Sequence, residues 1–289
     1  MEIMVVGAGQ MGGGIAQVMA GAGIKVLLHD VDQGAVDRQL SVIEGRLKKE
    51  VGRGRLSVEE KEQIMSRLTP CGRLAGAGNC DVVVEAIAED LALKTGVFQM
   101  LDQICKPACI LCSNTSSLPI TELAAVTDRP DRVIGMHFMN PVPVMELVEL
   151  IRGLATSDET FQAVMELTLK LGKTPVEVRD VPGFVSNRVL QVMINEAIYC
   201  VYEGVASPED IDDVMRLGMN HPMGPLQLAD FIGLDTVLAI METLYGGYAD
   251  CKYRPCPLLR QYVKAGWLGK KSGRGFYQYD VSQRKGEKI

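Results

Sequence analysis

In the first half of the chain, short β-rich apolar runs alternate with longer stretches of helical period, the pattern of a parallel sheet flanked by helices. Strands are expected at residues 3–6, 25–29, 81–85, 108–112, 133–137 and 145–151, with a further run at 174–178. Helical stretches lie among them at 14–22, 33–51 and 93–104. The segment Asp180-Val181-Pro182-Gly183 is a turn signal, and beyond it the pattern is helical throughout. Residues 184–203 are apolar all round and predict a long, largely buried helix ended by Gly204. Ser207, Pro208 and Asp210 suit the N-cap, N1 and N3 positions of another helix. A third spans 235–245 and is closed by Gly246 and Gly247. The expected architecture is an α/β domain over residues 1–183 and an all-α domain over 184–289.

Gly7-Ala8-Gly9-Gln10-Met11-Gly12 has the spacing G-x-G-x-x-G, a weak signal by itself. Here it follows the first strand directly and opens a helical stretch. The second strand then ends at Asp30, close to the roughly 20-residue distance at which an acid meets the adenosine ribose of a dinucleotide. Such glycines allow a tight turn and let a pyrophosphate approach the helix N-terminus. Gly7, Gly9, Gln10, Met11, Gly12 and Asp30 are therefore candidate cofactor residues of a Rossmann-type, mostly parallel doubly wound sheet. No arginine follows Asp30 in Val31-Asp32-Gln33, which favours NAD over NADP. A purely structural glycine turn is the alternative.

Composition narrows the class. The 289 residues allow two domains, and 47% apolar with 23% charged residues is an ordinary globular balance. A net charge of −6 argues against nucleic-acid and membrane-surface partners, which call for a basic excess. No apolar run reaches the ~18 residues of a membrane span, and the N-terminus lacks a basic leader region, so a cytoplasmic protein is expected. Eight cysteines are too sparse for a disulfide scaffold. Cys105, Cys109 and Cys112 have a cluster-like spacing but fall around a short apolar run that predicts a buried strand, and the three histidines show no zinc spacing. No metal is expected.

Oxidation of an alcohol needs a group to take the hydroxyl proton, and histidine suits that near neutral pH. His29 lies within a strand and His221 in a loop. His137 ends a strand, at the edge where ligands of open α/β sheets bind. Glu149 stands in a run too apolar for an unpaired carboxylate, and a reversal through residues 140–143 would bring it beside His137. Residues 113–117, Ser-Asn-Thr-Ser-Ser, follow another strand and offer hydroxyl and amide groups at the same edge; a plain capping turn is the alternative there.

The run Ser-Asn-Thr-Ser-Ser-Leu at 113–118 and His-Phe-Met-Asn-Pro-Val-Pro-Val-Met-Glu-Leu-Val-Glu at 137–149 resemble the 3-hydroxyacyl-CoA dehydrogenases. The motifs at 182–188, 222–225 and 269–277 extend the resemblance over nearly the whole chain, with a length similar to the short 3-hydroxybutyryl-CoA dehydrogenases. The resemblance implies an NAD-dependent oxidation of (S)-3-hydroxyacyl-CoA to 3-oxoacyl-CoA, run in reverse on acetoacetyl-CoA. It implies His137 as base, Glu149 as its partner, and Ser116 and Asn187 on the substrate oxygen. It also implies cofactor contacts from Glu89, Lys94, Asn114, Ser116, Asn140 and Lys271.

Where the family presents a serine and a lysine toward the CoA moiety, this chain has Arg46 and Arg53 within a basic stretch. Arginine binds phosphate well; a solvated helix face is the alternative. Dehydrogenation of a free hydroxy acid such as L-gulonate is a second reading, and a crystallin-like structural role a third. The apolar content of 226–232 and 237–245 predicts a homodimer formed through the helical domain.

Overall fold

The structure, a computed structural model, describes residues 1–280 and divides into two compact units, Met1–Val181 and Pro182–Ile289. The last residues of the expected second domain, 281–289, lie outside the described residues.

The first unit is built on β1 Glu2–Val6, β2 Lys25–His29, β3 Leu68–Cys71, β4 Val82–Glu85, β5 Ile110–Ser113, β6 Val133–Phe138, β7 Leu147–Arg152 and β8 Thr174–Arg179. They form one sheet in the order β3-β2-β1-β4-β5-β6-β7-β8. Every neighbouring pair is parallel except β6 with β7. Its helices are α1 Gln10–Gly21, α2 Gln33–Gly52, α3 Val58–Ser66, α4 Leu91–Ile104, α5 Ile120–Ala125 and α6 Asp158–Lys170. β4, β5 and β6 are buried along their whole length, as strands covered on both faces must be. Ile3, Val5, Val26 and Val84 of the sheet join Ile15 and Met19 of α1 and Ile43 of α2 in the main core.

Several elements of this unit differ from the sequence expectation, which placed no β3, α3, α5 or α6 and began α1 later. β3 reads Leu-Thr-Pro-Cys, with only Leu68 buried; its proline and polar face are tolerated because it is an edge strand. α1 begins at Gln10 and takes in the glycines. A Cβ on Gly13 would lie 1.8 Å from Gln39 Nε2, and one on Gly14 2.9 Å from Val142, so the glycines are there for close packing. Helices α3 and α6 start at caps: Ser57 and Glu60 form a capping box, and Ser157 accepts from the Thr160 N–H.

The second unit is helical: α7 Ser186–Tyr202, α8 Pro208–Asp213, α9 Pro225–Ile232, α10 Leu234–Tyr248 and α11 Pro257–Lys264. Ser207 caps α8 through the Asp210 N–H at 3.1 Å, as its sequence implies. α7 is not buried all round: it covers Ile194, Ala197 and Ile198 but leaves Val189 and Tyr202 exposed. Its apolar residues outnumber what one buried face requires. α10 runs through Gly246 and Gly247 and ends at Ala249, whose φ is 51°. Gly247 is where Pro182 comes close, 2.6 Å from the place of a Cβ, and not a helix stop.

Two buried carboxylates organise this unit. Asp212 accepts from the Leu226 and Gln227 N–H groups at the start of α9 and from the Tyr277 hydroxyl. Fully buried Asp230 accepts from the Phe276 and Tyr277 N–H groups and the Tyr279 hydroxyl. Burial pushes the Asp230 carboxyl above its usual range, against those hydrogen bonds. A Cβ on Gly224 would lie 2.2 Å from the Asp212 carboxyl carbon, and one on Gly275 1.9 Å from Asp230 Oδ1. The motifs at 222–225 and 269–277 therefore meet structural needs of the second unit.

Candidate active site

The sequence places its candidate chemistry at the carboxyl ends of β1, β2, β4, β5 and β6, and a cavity of about 760 Å³ opens at the first three of these. Gly7, Gly9, Asp30, Ala86 and Ile87 line it. Gly7 has a φ of 106° and lies so close to the Ala86 carbonyl that a Cβ would come within 2.4 Å. Gly12 is pressed against Gly7 O in the same way, whereas a Cβ on Gly9 would meet nothing within 4 Å. No side chain caps the first turn of α1, so its N–H groups are presented to an anion. Asp30 is aimed by the backbone: Ala8 N–H donates to Oδ2 at 2.7 Å and Asp32 N–H to Oδ1 at 2.9 Å. These residues fit a dinucleotide, whose pyrophosphate would lie at Gly9 and whose adenosine ribose would lie at Asp30.

At the ends of β4 and β5 lies a polar network of which the sequence revealed only part. Glu85, fully buried, takes the Lys94 ammonium on Oε1 at 2.6 Å and the Ser113 hydroxyl on Oε2 at 2.7 Å. Lys94 is 1% exposed, and stripping either partner from such a pair costs about 3–5 kcal/mol. Lys94 also stands 3.4 Å from Glu89 Oε2. The other Glu89 oxygen accepts from the Thr115 hydroxyl at 2.6 Å and the Ser116 N–H at 3.0 Å, with the Ser116 hydroxyl 3.3 Å away. Partial burial alone would raise the Glu89 pKa; Lys94 and these hydrogen bonds outweigh it and hold the carboxyl below its usual range. The turn 115–117 is thus shaped around Glu89. Ser113 belongs to the polar run 113–117 that the sequence points to, but Glu85 does not stand out there, because an acid closing an apolar run looks only like the end of a strand.

β6 and β7 bring together the candidate acid–base pair. Their antiparallel register sets His137 directly opposite Glu149, and His137 Nδ1 lies 2.8 Å from Glu149 Oε2. Both side chains are buried. Asn114 binds this strand to the β5 turn by accepting the Phe138 N–H at 2.9 Å. Asn140, joined to Pro141 by a cis peptide bond, accepts from Gln10 Nε2 of α1 at 3.1 Å. Of the other histidines, His29 bonds the Cys71 carbonyl across β2 and β3, and His221 stays in its loop.

Asn187 and Lys271 lie in the second unit. Asn187 is in the first turn of α7, and Lys271 pairs with Asp235 at 2.7 Å. Arg46 and Arg53 lie on and just after α2, where Arg53 pairs with Glu50 at 2.8 Å. All eight cysteines are free thiols, and burial pushes Cys80 up to about 12 and Cys112 higher still. Among the described residues no group of three or more His, Cys, Asp or Glu could hold a metal ion, and no helix is long and apolar enough to cross a membrane.

Comparison with known families matches residues 2–181 to the 3-hydroxyacyl-CoA dehydrogenase NAD-binding domain and residues 183–279 to the C-terminal domain of the same enzymes. The chain belongs to the 3-hydroxyacyl-CoA dehydrogenase family. It is 64% identical over 279 residues to a probable 3-hydroxybutyryl-CoA dehydrogenase of Bacillus subtilis, covering 96% of this chain and 97% of that one. A 3-hydroxybutyryl-CoA dehydrogenase of Clostridioides difficile is 49% identical, with 97% and 100% covered. The crystal structure of (S)-3-hydroxybutyryl-CoA dehydrogenase from Ralstonia eutropha superposes with a TM-score of 0.95 at 49% identity, covering 96% and 99%. As a member of this 3-hydroxyacyl-CoA dehydrogenase family, the chain has NAD as its cofactor.

Proposed function

We propose that this chain oxidises (S)-3-hydroxybutyryl-CoA to acetoacetyl-CoA with NAD, and catalyses the reverse reduction. The observation that carries the reading is the His137–Glu149 pair, held at 2.8 Å by strand register beside a dinucleotide-binding sheet edge. Bound NAD supplies the hydride acceptor at C3 of the substrate. Glu149 accepts a hydrogen bond from the Nδ1–H of His137 and stays ionised, a tautomer in which Nε2 carries the lone pair that removes the C3 hydroxyl proton. As the ring becomes imidazolium, the buried carboxylate offsets its charge. Ser116 and Asn187 donate to the substrate oxygen and stabilise the charge that develops there. Gly7, Gly9, Gln10, Met11, Gly12 and Asp30 hold the adenosine half of the cofactor; Glu89, Lys94, Asn114, Ser116, Asn140 and Lys271 serve the remainder.

Residues 1–183 form the cofactor domain in this reading, and 184–289 the substrate and self-association domain. Arg46 and Arg53 contact the CoA phosphates, and the enzyme works in the cytoplasm as a homodimer. The deciding experiment follows NADH oxidation with acetoacetyl-CoA and with free acetoacetate. Turnover with the thioester alone is expected. Equal or better turnover of the free acid would replace this reading with a hydroxy-acid dehydrogenase, and no turnover of either would favour a structural role.

A further inference from the structure

In the loop that joins β6 to β7, residues 140–146, only Val142 is buried; its neighbours on both sides are exposed. A loop with so little packing of its own needs an outside anchor to keep one conformation. Lys173, between α6 and β8, is that anchor. Its Nζ donates to the Val142 carbonyl at 2.8 Å and to the Met145 carbonyl at 2.7 Å. One residue on, the Thr174 N–H donates to the Glu146 carbonyl at 2.8 Å. Lys173 is only 8% exposed, and the partners of its ammonium here are carbonyls. Burial pulls its pKa below the ordinary lysine value, and nearby Glu146 offsets this only in part. An apolar residue would fill the place without that desolvation, so the charge is explained by what it holds.

It holds the edge of the cofactor site. The Val142 side chain lies against Gly14 of α1, 2.9 Å from where a Cβ would stand. Asn140, two residues before Val142, bonds Gln10 at the first position of α1. We propose that Lys173 is a positioning residue for the cofactor: its ammonium clamps the 140–146 loop against α1, which fixes Asn140 and Gln10 beside the fingerprint glycines. The inference rests on the assignment of Asn140 to the cofactor site. The His137–Glu149 pair does not depend on the clamp, because β6 and β7 are paired directly from 135–138 to 148–151.

The test titrates NADH, by its own fluorescence, into wild type, Lys173→Met, Lys173→Arg, Asn140→Ala and the Lys173→Met/Asn140→Ala double variant, with Tm measured for each. Lys173→Met should raise the NADH Kd roughly tenfold, the size of one lost charged hydrogen bond. Its kcat at saturating NADH should stay within about threefold of wild type, the bound set for a variant that leaves the acid–base pair in place. Lys173→Arg should recover part of the affinity, and the double variant should bind little worse than Asn140→Ala, as coupled residues do. A Lys173→Met that loses Tm but binds NADH as wild type does overturns the clamp, provided Asn140→Ala binds weakly. If Asn140→Ala binds normally, the assignment of Asn140 fails by itself; weak binding by Lys173→Met then keeps the clamp acting through Val142, and normal binding removes it. Should Lys173→Met not fold, Lys173→Gln, which retains a donor, carries the same comparison.

Discussion

At the scale of single residues, chemistry and register are joined in His137. One ring nitrogen is committed to Glu149, which assigns the other to the substrate hydroxyl in the proposed reaction. His137→Gln should lower kcat about 100-fold or more, the usual size of a general-base loss, with NADH affinity near wild type. Glu149→Gln keeps the ring's neighbour but loses its charge, and should lower kcat by less; a pre-steady-state and steady-state comparison of both variants checks this. Normal turnover in His137→Gln would move the base elsewhere. Asp30 is a second such residue, because two backbone N–H groups aim its carboxylate at the cavity. Wild type should prefer NADH to NADPH in kcat/KM by at least about an order of magnitude, the worth of one ~1.4 kcal/mol interaction. Asp30→Ala should narrow that gap, and a wild-type preference for NADPH would refute the assignment. His137 and Glu149 were legible in the sequence because a strand-end histidine and an acid in an apolar run are each unusual. Glu85 was not, and Ser113 only as one hydroxyl of a polar turn, since the bond between them exists only once β4 and β5 lie side by side.

At the scale of elements, α2 carries the departure from the family pattern. If Arg46 and Arg53 meet CoA phosphate, changing both to glutamate should raise KM for acetoacetyl-CoA and leave KM for NADH alone. Added salt should raise the wild-type KM for the thioester as well. An unchanged KM in the double variant would return both residues to a solvated helix face, consistent with the Arg53–Glu50 pair. Glycines give a second contrast between elements. Gly275→Ala should lower Tm, because its Cβ would displace the buried Asp230 carboxyl. Gly45→Ala, inside α2 with nothing within 4 Å of the new atom, should stabilise by about 0.5–1 kcal/mol. Calorimetry of the two variants distinguishes crowding from helix propensity. Buried strands such as 133–138 were readable from their apolar runs, whereas β3 was hidden by its proline and polar positions. The extent of α1 was hidden too, since glycines near a helix start look like a loop until their neighbours are known.

At the scale of the whole molecule, the expected dimer needs a different argument from the one the sequence suggested. Leu226, Ala229, Val237, Met241 and Leu244 are buried in the second unit's own cores, so they do not call for a partner. Exposed apolar residues of that unit include Val185, Val189, Tyr202, Val205, Val214, Leu217 and Met219, and from the two expected segments only Phe231 and Tyr245. Sedimentation equilibrium at micromolar concentration should give twice the chain mass, and Val189→Glu with Leu217→Glu should shift it toward one chain. A wild-type monomer would end the proposal. A further consequence concerns synthesis on the ribosome. Asp230 finds its Phe276, Tyr277 and Tyr279 donors, and Asp212 its Tyr277 hydroxyl, in residues 276–279, so until those residues leave the exit tunnel Asp230 is without these donors and Asp212 holds only the N–H groups of Leu226 and Gln227. Translation that stalls before residue 276 would therefore leave a nascent chain with a finished sheet unit and an open helical one, a species marked for proteolysis by its own unmet hydrogen bonds.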